Sequence, residues 1–223
     1  MRTKRAALAA CALLCPLALG ADPAAVVQMD FDHPGLTPSH WTLTIHADGS
    51  GHFRAGGAAA QGEKPRTITV TEVDREVSWE PGFAAGVLAR AQRHRFFQQR
   101  CESRNQVAFT GTKTLRYDGP GGQGACTFNY SDDKEIQDLS EELRAAAEIV
   151  LYGARLEMLL QHDRLGLDAE LESLEASVKE DKHPQLCAIR EILQRLASDT
   201  ALMERVRKRA RGLLALAAEH SAH

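Results

Sequence analysis

Three histidines offer the first chemistry in this sequence. His40 and His46 share one parity within the alternating run Trp41–His46. His52 joins them on the same outer face if Phe53 shares a core face with Leu43 and Ile45. Neutral imidazoles on one face can hold zinc or copper. No cysteine or carboxylate at metal-ligand spacing accompanies them, so a solvated sheet face is the reading preferred and no cofactor is expected. Nucleophile chemistry is thin. There is no Gly-x-Ser-x-Gly elbow, and the adjacency of Ser39 and His40 is not a triad. Cys101-Glu102 with a remote histidine would mimic a cysteine hydrolase only if the thiol were free. The acidic pairs Asp132-Asp133, Glu141-Glu142 and Glu170/Glu172 sit where helix starts and exposed faces ordinarily carry acids. The glycine-rich stretch Gly119–Gly124 lacks the Lys-Ser/Thr of a phosphate loop and precedes a strand, so it reads as a hairpin tip and, functionally, as a loop open to a partner.

Charge is laid out unevenly. Arg205, Arg207, Lys208, Arg209 and Arg211 crowd one segment against the single acid Glu204. The preceding helical segment carries Asp168, Glu170, Glu172, Glu175, Glu180 and Asp181 against Lys179 and Lys182. Complementary helices within one bundle explain this layout. A basic patch for an anionic lipid surface or an acidic envelope protein is the sharper alternative.

The N-terminus reads as an export signal. Arg2, Lys4 and Arg5 precede an apolar run from Ala6 to Leu19, and Ala18-Leu19-Gly20 places small residues at a cleavage site after Gly20. A lipidated Cys11 is disfavoured, because only Ala6 and Ala7 separate Arg5 from Leu8. Removal of three basic residues takes the net charge from −3 to −6, which argues against a nucleic-acid target. No later apolar run approaches the roughly 20 residues a membrane helix needs. Export also favours oxidation of the cysteines that survive, Cys101, Cys126 and Cys187. Cys101 and Cys126 flank one strand and hairpin tip and are the expected pair; Cys187, beside Leu186 and Ile189, reads as a buried small hydrophobe.

These residues need elements to position them. A lead-in with one short strand near Val26–Phe31 precedes a hairpin, Trp41–His46 and Gly51–Arg54, joined at Ala47-Asp48-Gly49. A Gly/Ala-rich loop over 56–64 follows, then a bent or bulged strand over Arg66–Trp79. Phe83, Val87, Leu88 and Ala91 predict a helix over 81–96 that ends at Phe96-Phe97. A second hairpin follows, with strands at Val107–Tyr117 and Ala125–Tyr130. From Asp132 the period becomes helical: a long helix kinked at Gly153, a stop at Gly166 with Asp168 as the next N-cap, a break at Lys182-His183-Pro184, and helices over 184–197 and 199–217. The fold expected is α+β, a small antiparallel sheet of two hairpins with helices on one face, followed by an all-α C-terminal extension. The domains expected are a signal peptide at 1–20, a sheet domain at 21–152, a helical extension at 153–218 and a disordered tail at 219–223.

Several segments resemble an uncharacterised family of exported bacterial proteins. They are Trp41–Gly51, the aromatic pair Phe96-Phe97, Cys101-Glu102-Ser103, Gly111–Leu115, Cys126–Tyr130, Gly153–Glu157 and the basic run Arg205–Arg211. The resemblance implies the α+β layout and no activity. The function expected is a non-catalytic accessory or interaction protein of the envelope, periplasmic or secreted, with homodimerisation through the helical extension as one way to bury its apolar stripes. The alternatives are a periplasmic hydrolase whose site is assembled from distant residues and a metal-binding module on the histidine face.

Overall fold

The structure, a computed structural model, describes residues 25–57, 69–180 and 184–220. The signal-type N-terminus, most of the Gly/Ala-rich loop, the break at 181–183 and the last three residues lie outside the described residues.

Alternation builds one antiparallel sheet of six strands: β1 (Val26–Asp32), β2 (His40–His46), β3 (Ser50–Gly56), β4 (Val73–Ser78), β5 (Thr112–Gly119) and β6 (Gly122–Phe128). Their spatial order is β4-β3-β2-β1-β5-β6. Both expected hairpins are present. The side chain of Asp48 accepts the Ser50 N–H at 2.9 Å, and Gly49 supplies the positive φ that the β2–β3 turn requires. The lead-in strand is longer and more central than its sequence suggests: β1 pairs with β2 on one side and β5 on the other. Val27, Met29 and Phe31 of β1 join Leu43, Ile45, Phe53, Leu115 and Tyr117 on the buried face. The opposite face keeps Gln28, Asp30, Thr42, Thr44, Thr114 and Arg116, several of them bonded to one another around Asp30.

Helices α1 (Pro81–Arg93) and α2 (Lys134–His162) cover the buried face. Pro81 occupies the first turn of α1, where its missing N–H costs nothing. α1 stops at Arg93, earlier than its apolar spacing predicts. Arg95, Phe96 and Phe97 have φ of 54°, 57° and 62°, a left-handed turn. Each such residue costs about 1–2 kcal/mol. The aromatic packing offsets this: Phe97 is fully buried, and the Phe96 ring stacks on Tyr117 at 4.9 Å. Phe96 also lies over the β5–β6 tip, where a Cβ on Gly122 would come within 2.6 Å of the ring. The glycines of the tip are therefore a seat for Phe96.

α2 runs through Gly153, the position expected to kink it, as one helix of 29 residues. A Cβ there would lie 2.4 Å from Ile189, and the glycine lets the C-terminal segment approach. α2 faces two apolar cores. Its N-terminal part, with Ile136, Leu139 and Leu143, closes the sheet core. Ile149, Leu156 and Leu160 belong to a second core with α3 (Leu167–Glu180), a 3₁₀ turn (Leu186–Ile189), α4 (Arg190–Ser198) and α5 (Glu204–His220). The border expected at 152/153 falls inside this helix. Arg75 of β4 ties the sheet to α2 through both oxygens of Glu157, at 3.2 and 2.6 Å. Among the described residues no helix is long and apolar enough to cross a membrane.

Candidate functional site

The histidines occupy the expected face without converging. His40 starts β2 and His46 ends it, so the strand separates them by roughly 20 Å. His52, across from Thr44, is 2.8 Å from Asp74 of β4. No group of three metal-ligating side chains gathers among the described residues.

The basic helix turns inward. Arg205 and Arg209 of α5 meet Asp168 of α3 at 3.2 and 3.1 Å, and Arg209 also engages Glu172 and Glu175. Asp168 thus lies within the first turn of α3, where it takes up arginines instead of capping the helix. Arg207 and Arg211 pair with Glu204 of their own helix, and Lys208 stays exposed. The complementary-helix layout takes up Arg205 and Arg209, and pairing within α5 takes up Arg207 and Arg211. A cleft of about 310 Å³ opens where Pro38 and Val70 meet Tyr152, Arg155, Glu170 and Ser173. It is already filled at its polar wall by the Arg155–Glu170 ion pair, with the Arg155 guanidinium 4.2 Å above the Tyr152 ring.

The site with unspent surface lies at one end of the sheet, where β1 leaves, β2 enters, β5 enters and β6 leaves. Leu36, Val107, Phe109 and Tyr130 are exposed there, Phe109 by 54%. They come from three loops that the fold draws together. An aromatic row rises from the core: Trp41 stacks on Phe31 at 5.2 Å, Phe31 on His33 at 6.4 Å, and His33 meets Phe109 at 5.3 Å. Leu36 closes the β1–β2 loop by donating its N–H to the His33 carbonyl at 3.0 Å.

The segment that carries Val107 and Phe109 is held as a loop, although its alternation reads as strand. Asn129 does this. Its Oδ1 accepts the Thr110 N–H at 2.7 Å and its Nδ2 donates to the Ala108 carbonyl at 3.0 Å, so the ladder bonds of a strand are replaced by side-chain bonds. Gly111, with φ of 111°, then turns the chain into β5. Glu102 accepts the Asn129 N–H at 2.6 Å. Asp132 accepts from the Ser103 hydroxyl at 2.7 Å and from the Arg104 N–H, and the Ser103 hydroxyl hydrogen bond is the main reason its carboxyl sits below the usual carboxylate range. The Cys101–Cys126 disulfide anchors the start of the segment to β6. The pair expected from the sequence is thus the pair observed.

Below the loop lies Lys113, at a core position between Leu115 and the strand end and only 1% exposed. Its Nζ donates to the Asn129 carbonyl at 2.7 Å and to the Thr110 hydroxyl at 3.2 Å, with the Phe128 ring 5.9 Å away. Burial pushes its ammonium below its ordinary value. Glu141 and Glu102 oppose that through space, and Arg144 adds to it. The sequence signal was present, because Lys113 shares parity with Leu115 and Tyr117 and so had to point inward. The chain matches no family model and no curated protein. The loop end must therefore be read from its own chemistry.

Proposed function

We propose that this chain is an exported, non-catalytic interaction protein of the bacterial envelope, and that it binds a protein partner through the loop end of its sheet. The observation that carries the reading is the exposure of Leu36, Val107, Phe109 and Tyr130 on loops at one end of the sheet, of which the 101–111 segment is fixed from beneath. Apolar groups gathered on a rigid frame mark contact surfaces, and aromatic side chains dominate binding energy in them. Tyr and Phe also favour a protein partner over an ionic one.

Export rests on the tripartite N-terminus and agrees with the disulfide and with the absence of a membrane-length helix among the described residues. The resemblance to exported bacterial proteins supports the same compartment.

The test is substitution at the patch in cells that export the chain. Phe109→Asp combined with Tyr130→Ala should abolish co-isolation of a partner that the unaltered chain retains, with no change in Tm. Equal retention of the same partner by the double variant would refute the reading.

A further inference from the structure

Lysine is an unexpected choice at position 113. Its neighbours on the buried face of the sheet are Leu115, Tyr117 and Phe128. Its direct acceptors are a neutral carbonyl and a neutral hydroxyl. Taking an ammonium out of water costs free energy that neutral acceptors only partly return. The sign of the burial effect agrees: a folded value below the unfolded one means that the charged form is disfavoured by folding, and this cost falls away as pH rises toward the ordinary lysine value. A methionine would fill the same space without that cost.

What Lys113 holds lies in the exposed loop. Both acceptors belong to the framework of the exposed loop: Thr110 follows Phe109 directly, and Asn129 binds the backbone on both sides of Phe109. We infer that Lys113 is a positioning residue for the partner-binding loop, which it holds in its binding shape at the expense of fold stability. The inference deepens the proposed reading of the loop end and rests on it for its functional half.

The experiment compares Lys113→Met with the unaltered chain by thermal unfolding and by amide hydrogen exchange. The Tm should stay level or rise, while the amides of 105–110 exchange roughly tenfold faster, as expected when a charge-assisted contact under a loop is lost. Thr110→Val, which removes one of the two Lys113 acceptors from an exposed residue, should speed the same amides. Cross-linking to the partner from position 130 should fall in both variants. A lower Tm with loop exchange that merely follows global unfolding, or a chain that no longer folds, would overturn the inference, as would unchanged loop exchange. If the unaltered chain binds nothing at the patch, the proposed function fails, while the exchange measurement still decides whether Lys113 orders the loop.

Discussion

Arg209 of α5 reaches Asp168 of α3 through Nε at 3.1 Å, and the same guanidinium also engages Glu175. Two of the five basic residues of α5, Arg205 and Arg209, are therefore spent on the acidic neighbour α3. Arg209→Glu should lower the Tm, because it sets a new acid against Asp168, Glu172 and Glu175. Arg209→Glu with Asp168→Arg should recover part of the loss. Thermal unfolding of the single and double variants measures the coupling, and simple additivity would show that the two residues do not interact.

The seat of Phe96 on the hairpin tip makes a graded prediction. A Cβ on Gly122 meets the Phe96 ring at 2.6 Å, whereas one on Gly124 meets the Phe96 carbonyl oxygen at 2.3 Å. Gly122→Ala should destabilise by about 1–3 kcal/mol. Gly124→Ala should cost more, since backbone cannot swing aside as a ring can. Urea unfolding would show the order, and two neutral substitutions would remove this account of the glycines.

Replacing Cys101 and Cys126 together by serine should cost about 3 kcal/mol if the bridge acts by closing a loop in the unfolded chain. Proteolysis should then begin within 102–111, because the segment loses its anchor to β6. Cleavage elsewhere first would show that Asn129 and Asp132 suffice to hold it.

Cys187, half-buried where its sequence neighbours suggest a fully buried site, should react slowly. Its thiol donates to the Ser78 carbonyl at 3.2 Å, and burial, helped by the Glu80 carboxylate, pushes it up to about 12. Thiolate is the reacting form, so maleimide labelling near neutral pH should be slow in the folded chain and fast in urea. Rapid labelling of the folded protein would contradict the environment described for it.

Much of the fold was legible in the sequence because burial there follows simple periods. Leu43, Ile45 and Phe53 announce their strands, and Ile136, Leu139 and Leu143 announce α2. Cys101 and Cys126 could be paired because they flank one hairpin. The loop end was not legible, for particular reasons. Val107–Tyr117 alternates as a strand should, yet the side chain of Asn129, distant in sequence, takes the Thr110 N–H that a ladder would have used. At the opposite end of the sheet, Phe96 and Phe97 continue a helical stripe, yet the space between Tyr117 and the tip glycines draws them into a left-handed turn. Lys113 gave a local signal, a charge at an inward parity, but its partner is again Asn129. In the first two cases a contact distant in sequence overrode a local pattern; Lys113 follows its parity, and only its acceptor on Asn129 lies beyond local reach.

The measurement that tests the central claim most directly is site-specific photo-cross-linking in cells exporting the chain. The probe is placed in turn at Phe109, at Tyr130 and, as a control, at Asp118 near the opposite end of β5. Adducts of one common mass from Phe109 and Tyr130, absent from Asp118, are the expected result. No adduct from either patch position, or an equal adduct from Asp118, would contradict a partner at the loop end.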